Sequence, residues 1–201
     1  MLKIGITGGI GVGKTIVCRM FEQLGIPVYD SDSRAKWVMS NDDALKAGLA
    51  AAFGKDTYTL EGELNRQYLG GVVFNDPEQL AKLNQLVHPH VKTDFLRWVE
   101  SNEQAPYVIK EAALMYESEA WRQMDEIIAV FAPLPVRIKR TLKRDIHRTA
   151  ADVRAIINKQ LQEEEKMARA EHILYNDDQQ LIIPQILRLH QLFMAKAGKQ
   201  A

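Results

Sequence analysis

GITGGIGVGKT, residues 5–15, carries five glycines, one lysine and two threonines and continues the apolar run Leu2, Ile4, Ile6. The run reads as a short buried strand that the glycines stop. From Thr15 onward Ile16, Val17, Met20, Phe21 and Leu24 recur at helical spacing, and Gly25 supplies a stop. Gly8, Gly9, Ile10, Gly11, Val12, Gly13, Lys14 and Thr15 together fit G-x-x-x-x-G-K-[ST] in the strand–loop–helix context that the pattern requires. Glycines let several backbone N–H groups converge on one point, and a helix N-terminus adds unpaired donors and a partial positive charge. The stretch therefore implies binding of a nucleoside triphosphate. Lys14 would reach the β- and γ-phosphates, the Thr15 hydroxyl would hold Mg²⁺, and Ile16 closes the set of ATP-facing positions.

The rest of the chain sets bounds. With 201 residues it can bury a sizeable core as one domain with insertions. Its 26 basic residues balance 26 acidic ones, so no global charge points to nucleic acid or a membrane surface. Cys18 is the single cysteine, which excludes a disulfide within the chain, and its place in the first helix reads as packing. No signal-peptide pattern or membrane-length apolar run is present, so a cytoplasmic protein is expected.

Four more strands are expected, at 26–30, 107–109, 126–133 and 172–176. Helices are expected at 44–54, after Asn65 as N-cap, after Asp76-Pro77, and over roughly 178–197. Residues 55–63 read as a polar connection, and His88-Pro89-His90 as an interruption of the helical pattern. Strands alternating with helices predict an α/β fold with a five-stranded parallel sheet wrapped by helices and ligands at the C-terminal strand ends. Two stretches look inserted, a helical block near 60–100 and a charged block at 137–170.

A phosphate loop serves switches, motors and kinases alike, so the acceptor must be sought elsewhere. The second strand runs into YDSDSRAK (29–36), and alternation would point Asp30 and Asp32 the same way if the strand continued. A carboxylate there could take a proton from an acceptor hydroxyl or hold Mg²⁺ through water; equally, Asp30 or Ser31 could cap the following helix. Glu111, ending the third strand, would lie beside the loop as a Mg²⁺ partner, or else pair with Lys110. Arg137, Arg140, Arg144 and Arg148 fall on one helical stripe after the fourth strand. That suits a lid closing on phosphates, the alternatives being a solvated face or a nucleic-acid patch. His88 is either structural or a ligand, and two histidines without a nearby cysteine do not make a zinc site.

Taken in order, GITGGIGVGKT, LGIPVYDSD, LNRQYLGGVVF, LNQLVHPHV, IKEAALMYES, RIKRTLKRD and NKQLQEEEKMARAEHILYND resemble the dephospho-coenzyme A kinase family nearly end to end. The resemblance implies transfer of the ATP γ-phosphate to the ribose 3′-hydroxyl of dephospho-CoA, with ATP and Mg²⁺ required. It implies a P-loop kinase core (about 1–58, 101–135 and 171–201), a helical CoA-binding block (about 59–100) and a lid (about 136–170). By motif, Asp32 is the proposed base, Arg140 and Arg144 belong to the lid, and Asn176 faces ATP. Arg66, His88, Glu111 and Glu117 fall around the acceptor, and Thr15, with Asp32 or Glu111 through water, around the metal. A monomer or weak homo-oligomer without nucleic-acid or membrane partners is expected. EAALMYE lacks the family's proline, and Lys36 stands where arginine is common. A small-molecule or nucleoside monophosphate kinase of the same fold is the alternative. A GTPase-type switch would need D-x-x-G and N-K-x-D segments, which do not occur.

Overall fold

The computed structural model describes residues 1–73 and 76–198; Phe74, the last residue of LNRQYLGGVVF, lies outside them. In chain order the elements are β1 (Leu2–Thr7), α1 (Lys14–Gln23), β2 (Val28–Asp30), α2 (Ser31–Asn41), α3 (Asp43–Phe53), α4 (Arg66–Val73) and α5 (Pro77–Glu100). Then follow β3 (Tyr107–Glu111), β4 (Glu126–Phe131), α6 (Leu134–Arg144), α7 (Ala150–Asn158), α8 (Glu163–Arg169), β5 (His172–Tyr175) and α9 (Ile182–Ala197). The chain divides into two compact units, 1–30 with 102–201, and 31–101.

The first unit holds a five-stranded sheet in the order β2-β3-β1-β4-β5, with every pairing parallel. Parallel strands covered on both faces require near-continuous apolar runs, and YVIKE and EIIAVF supply them. Ile4, Ile6, Ile109, Ile128 and Val130 from the sheet pack with Val17 and Phe21 of α1 and Ile186, Leu189 and Phe193 of α9. Each such side chain contributes about 1.5–3 kcal/mol on burial. All five expected strands are present.

The second unit is helical, α5 packing against α2, α3 and α4. Its starts follow local capping chemistry. Asn65 Oδ1 accepts from the Tyr68 N–H at 3.1 Å, and Asp76 Oδ1 accepts from Glu78 and Gln79 at 2.9 and 3.1 Å. The polar connection contains a 3-10 turn at Lys55–Thr57 and a Tyr58–Leu64 bridge.

Three expectations need correction. α5 runs unbroken from Pro77 to Glu100 with Pro89 inside it, so HPH does not interrupt the helix. Val87, Val91 and Phe95, all buried, hold both sides of the proline in register. β2 stops at Asp30 and α2 begins at Ser31, so strand alternation does not reach Asp32, which opens a helix instead. Finally, α6 ends at Arg144, leaving Arg148 off the helix, and Arg137 is a buried residue and not part of an open stripe.

Candidate active site

The loop between β1 and α1 is shaped at its far end by Gly13, which caps α1 in the left-handed region at φ 93°. A side chain there would be strained and would overlap the amide nitrogen of Asn176. The first turn of a helix leaves N–H groups without intrahelical partners, so the amides of Lys14 and Thr15 lie at the positive end of α1. The Lys14 ammonium donates to the Gly8 carbonyl at 2.9 Å, folding back across the mouth of the loop. Thr15 and Ile16 are exposed at the start of the helix.

The C-terminal ends of the other strands gather around this loop. In register, Asp30 pairs with Glu111 and Glu111 with Ile6, which sets two carboxyl residues side by side on neighbouring strands. Glu111 Oε1 lies 3.9 Å from the Lys14 ammonium, both side chains being largely buried. Glu111 also meets Cys18, one turn along α1 from Lys14; burial first, and this carboxylate second, push the Cys18 thiol well up. Lys110 faces the other way, buried, with its ammonium 5.7 Å from the Tyr29 ring centroid.

Beyond β5, Asn176 ties the strand end to the loop. Its backbone N–H donates to Phe131 O at 2.8 Å and its side-chain amide donates to Val12 O at 2.8 Å. Arg140 donates to Asn176 O at 2.9 Å and to Asn176 Oδ1 at 3.3 Å, and pairs with Asp178. Arg140 thus stands at the rim of the loop. Arg144 is two-thirds exposed and forms two hydrogen bonds to Asp145, which also receives Arg148. The Arg144 hydrogen bond pulls the Asp145 carboxyl down to about 2.

Glu117 accepts the Leu161 N–H at 2.9 Å and lies 3.7 Å from the fully buried ammonium of Lys166, which donates to Ala113 O at 3.2 Å. It thereby anchors the start of α8. In the helical unit, Asp32 is exposed in the first turn of α2, Arg66 is exposed at the start of α4, and His88 is exposed on α5. His90, two residues on, has its Nδ1 2.9 Å from Asp42 Oδ2. A cleft of about 310 Å³ in the same unit is lined by Trp37, Asp42, His90, Asp94 and Arg97. Among the described residues no cluster of three or more metal-binding side chains occurs.

Sequence reasoning missed Glu163 and Gln160. Their side chains accept the Gly9 and Ile10 N–H groups at 2.9 and 3.0 Å, and the buried Arg137 stands beside them. Composition hides Glu163 inside a run of three acids; only its burial marks it.

A glycine-rich loop leading from the central strand of a 2-3-1-4-5 parallel sheet into a helix, with lysine at the helix start, defines a P-loop kinase fold. The family model described as dephospho-CoA kinase matches residues 2–181. The chain belongs to the dephospho-CoA kinase family, a family of transferases. The dephospho-CoA kinase of Bacteroides fragilis (strain YCH46) is 35% identical over 188 residues, covering 94% of this chain and 91% of that protein. Among solved structures, TT1252 from Thermus thermophilus superposes with a TM-score of 0.81 at 31% identity, with 97% of each chain covered. Dephospho-CoA kinase from Campylobacter jejuni shares the fold at a TM-score of 0.69 and 20% identity, covering 99% of this chain and 98% of that one. Among the described residues no helix is long and apolar enough to cross a membrane.

Proposed function

We propose that the protein transfers the γ-phosphoryl group of ATP to the ribose 3′-hydroxyl of dephospho-CoA, giving coenzyme A and ADP, the last step of coenzyme A synthesis. The observation that carries this reading is the Lys14 loop joined to a family match over residues 2–181.

In this reading the amides of the loop and of the first turn of α1 hold the phosphates of ATP. Lys14 exchanges its contact with Gly8 O for the β- and γ-phosphate oxygens, and Asn176 holds Val12 in place beneath them. Asp32, exposed at the start of α2, takes the proton of the acceptor hydroxyl. Arg140 and Arg144 neutralise charge on the transferred group once they leave Asp178 and Asp145. Arg66, His88 and Glu117 serve the acceptor side, Glu117 in addition to anchoring α8. Residues about 59–100 form the CoA-binding block, and about 136–170 the lid.

The exposed Thr15 hydroxyl is a hard oxygen donor that fits Mg²⁺, with Asp32 or Glu111 as a carboxylate partner through water. Bound there, Mg²⁺ would neutralise phosphate charge. We place the protein in the cytoplasm, acting as a monomer or weak homo-oligomer without nucleic-acid or membrane partners.

The test is incubation with ATP, Mg²⁺ and separate acceptors, with product mass and phosphate position determined. Dephospho-CoA should gain one phosphate at the ribose 3′ position. Much faster phosphorylation of adenylate or shikimate would overturn the assignment.

A further inference from the structure

The first limb of the phosphate loop is closed off by side chains from far along the chain. Glu163 Oε1 accepts the Gly9 N–H at 2.9 Å and Gln160 Oε1 accepts the Ile10 N–H at 3.0 Å. Arg137 Nε donates to the Ile10 carbonyl at 2.9 Å, and its Nη1 lies 3.4 Å from the same Glu163 oxygen. The Gly9 carbonyl accepts from the Val12 N–H at 3.4 Å. Every backbone polar group of residues 9 and 10 is therefore engaged. The Arg137 and Glu163 side chains are 5% and 9% exposed, and Arg137 Nη2 is buried without a hydrogen-bond partner. A Cβ on Gly9 would overlap both Arg137 Nη2 and Glu163 Oε1, so the pair sits directly on the backbone.

We infer that Arg137, Glu163 and Gln160 form a clasp of positioning residues that fixes residues 9–10 and confines phosphate binding to the loop from Gly11 onward. The carboxylate does this at a cost: it brings a negative charge within hydrogen-bonding distance of a loop meant for a triphosphate. Arg137 offsets that charge at the same oxygen. The arginine therefore matters to ATP binding without touching ATP, by neutralising an anion that the clasp itself introduces. Gln160 fills the equivalent role at Ile10 with a neutral acceptor and needs no counterion.

This inference rests on the ATP reading of the loop, and the experiment separates the two. Binding of a fluorescent ATP analogue, KM for ATP, KM for the acceptor and thermal midpoints are measured for the full chain and its variants. Arg137→Gln should raise KM for ATP about tenfold or more by leaving a buried carboxylate beside the phosphates. Glu163→Gln keeps an acceptor for Gly9 and should leave KM for ATP at or below the wild-type value. The double variant Arg137→Gln/Glu163→Gln should restore KM for ATP to within about threefold of wild type, a rescue that lost packing alone would not give. KM for the acceptor should stay constant throughout.

If Arg137→Gln does not fold, Glu163→Ala against Glu163→Gln decides. The alanine variant loses the Gly9 acceptor and should raise KM for ATP, whereas the glutamine variant should not. Equal ATP binding by wild type and all variants would overturn the clasp. Failure of the wild type to bind the analogue would overturn the ATP reading instead.

Discussion

Asn176 is the residue whose replacement tests the geometry of the loop most directly. Val12 O can only accept and Arg140 can only donate, so the amide has one usable orientation, nitrogen toward Val12 and oxygen toward Arg140. Asn176→Ala removes both bonds, at 2.8 and 3.3 Å. At about 1 kcal/mol each, the loss is about 2 kcal/mol. For a chain of 201 residues that corresponds to a fall of roughly 4–8 °C in Tm. With Val12 O released, KM for ATP should rise roughly tenfold. Asn176→Asp keeps the oxygen for Arg140 but turns a second oxygen toward Val12 O and adds a negative charge near the phosphates. Its Tm should therefore fall no further than that of the alanine variant, while its KM for ATP should rise further still. Thermal unfolding and steady-state kinetics at saturating acceptor give both quantities. Wild-type KM for ATP in Asn176→Asp would refute the reasoning, because the amide would then not be holding the loop.

Other replacements probe the remaining parts. Lys14→Ala should cripple both ATP binding and turnover, and wild-type activity of that variant at low ATP would sink its placement. Asp32→Asn keeps size but cannot accept a proton, so kcat should fall by roughly 10²-fold or more with ATP affinity nearly unchanged; lost ATP binding with preserved turnover would mark it as a metal ligand instead. Glu126 holds His172 and Lys196; burial raises its pKa, but the hydrogen bonds from Lys196 and His172 prevail and lower it. Its contribution is present above the ordinary carboxylate range and lost as pH falls through the lowered value. Glu126→Gln should thus cost roughly 2 kcal/mol at pH 7 and progressively less below about pH 4.5, read by urea midpoints against pH. Hydrogen exchange over residues 136–170 should slow on adding a non-hydrolysable ATP analogue with acceptor, and equal protection in both states would rule out a moving lid.

Local patterns were legible where the physics is local. The short apolar strands, the glycine loop, and the caps at Asn65 and Asp76 all depend on residues within a few positions of each other. Pro89 misled because a proline's cost is judged from its own turn, whereas the helix is held by Val87, Val91 and Phe95 on either side. At Asp32 the change from strand to helix falls between Asp30 and Ser31, and alternation alone carries no mark of that step. The arginine stripe was correct in spacing between 137 and 144, but spacing cannot say that Arg137 is the buried member and Arg144 the exposed one. That distinction comes from Glu163, which no periodicity links to Arg137.

The position of β1 in the sheet also governs the order in which the chain can assemble during synthesis. Leu2 pairs with Tyr107, and Ile4 with both Ile109 and Glu126, so the strand made first is the central one and waits for both neighbours. Residues 31–101 are complete before either partner strand has been translated. Until then an apolar segment and its glycine loop stay without a sheet to join, open to chaperones and to pairing with other nascent chains. Slowing translation just after residue 101 should lengthen that exposure, whereas slowing it after β5 should not.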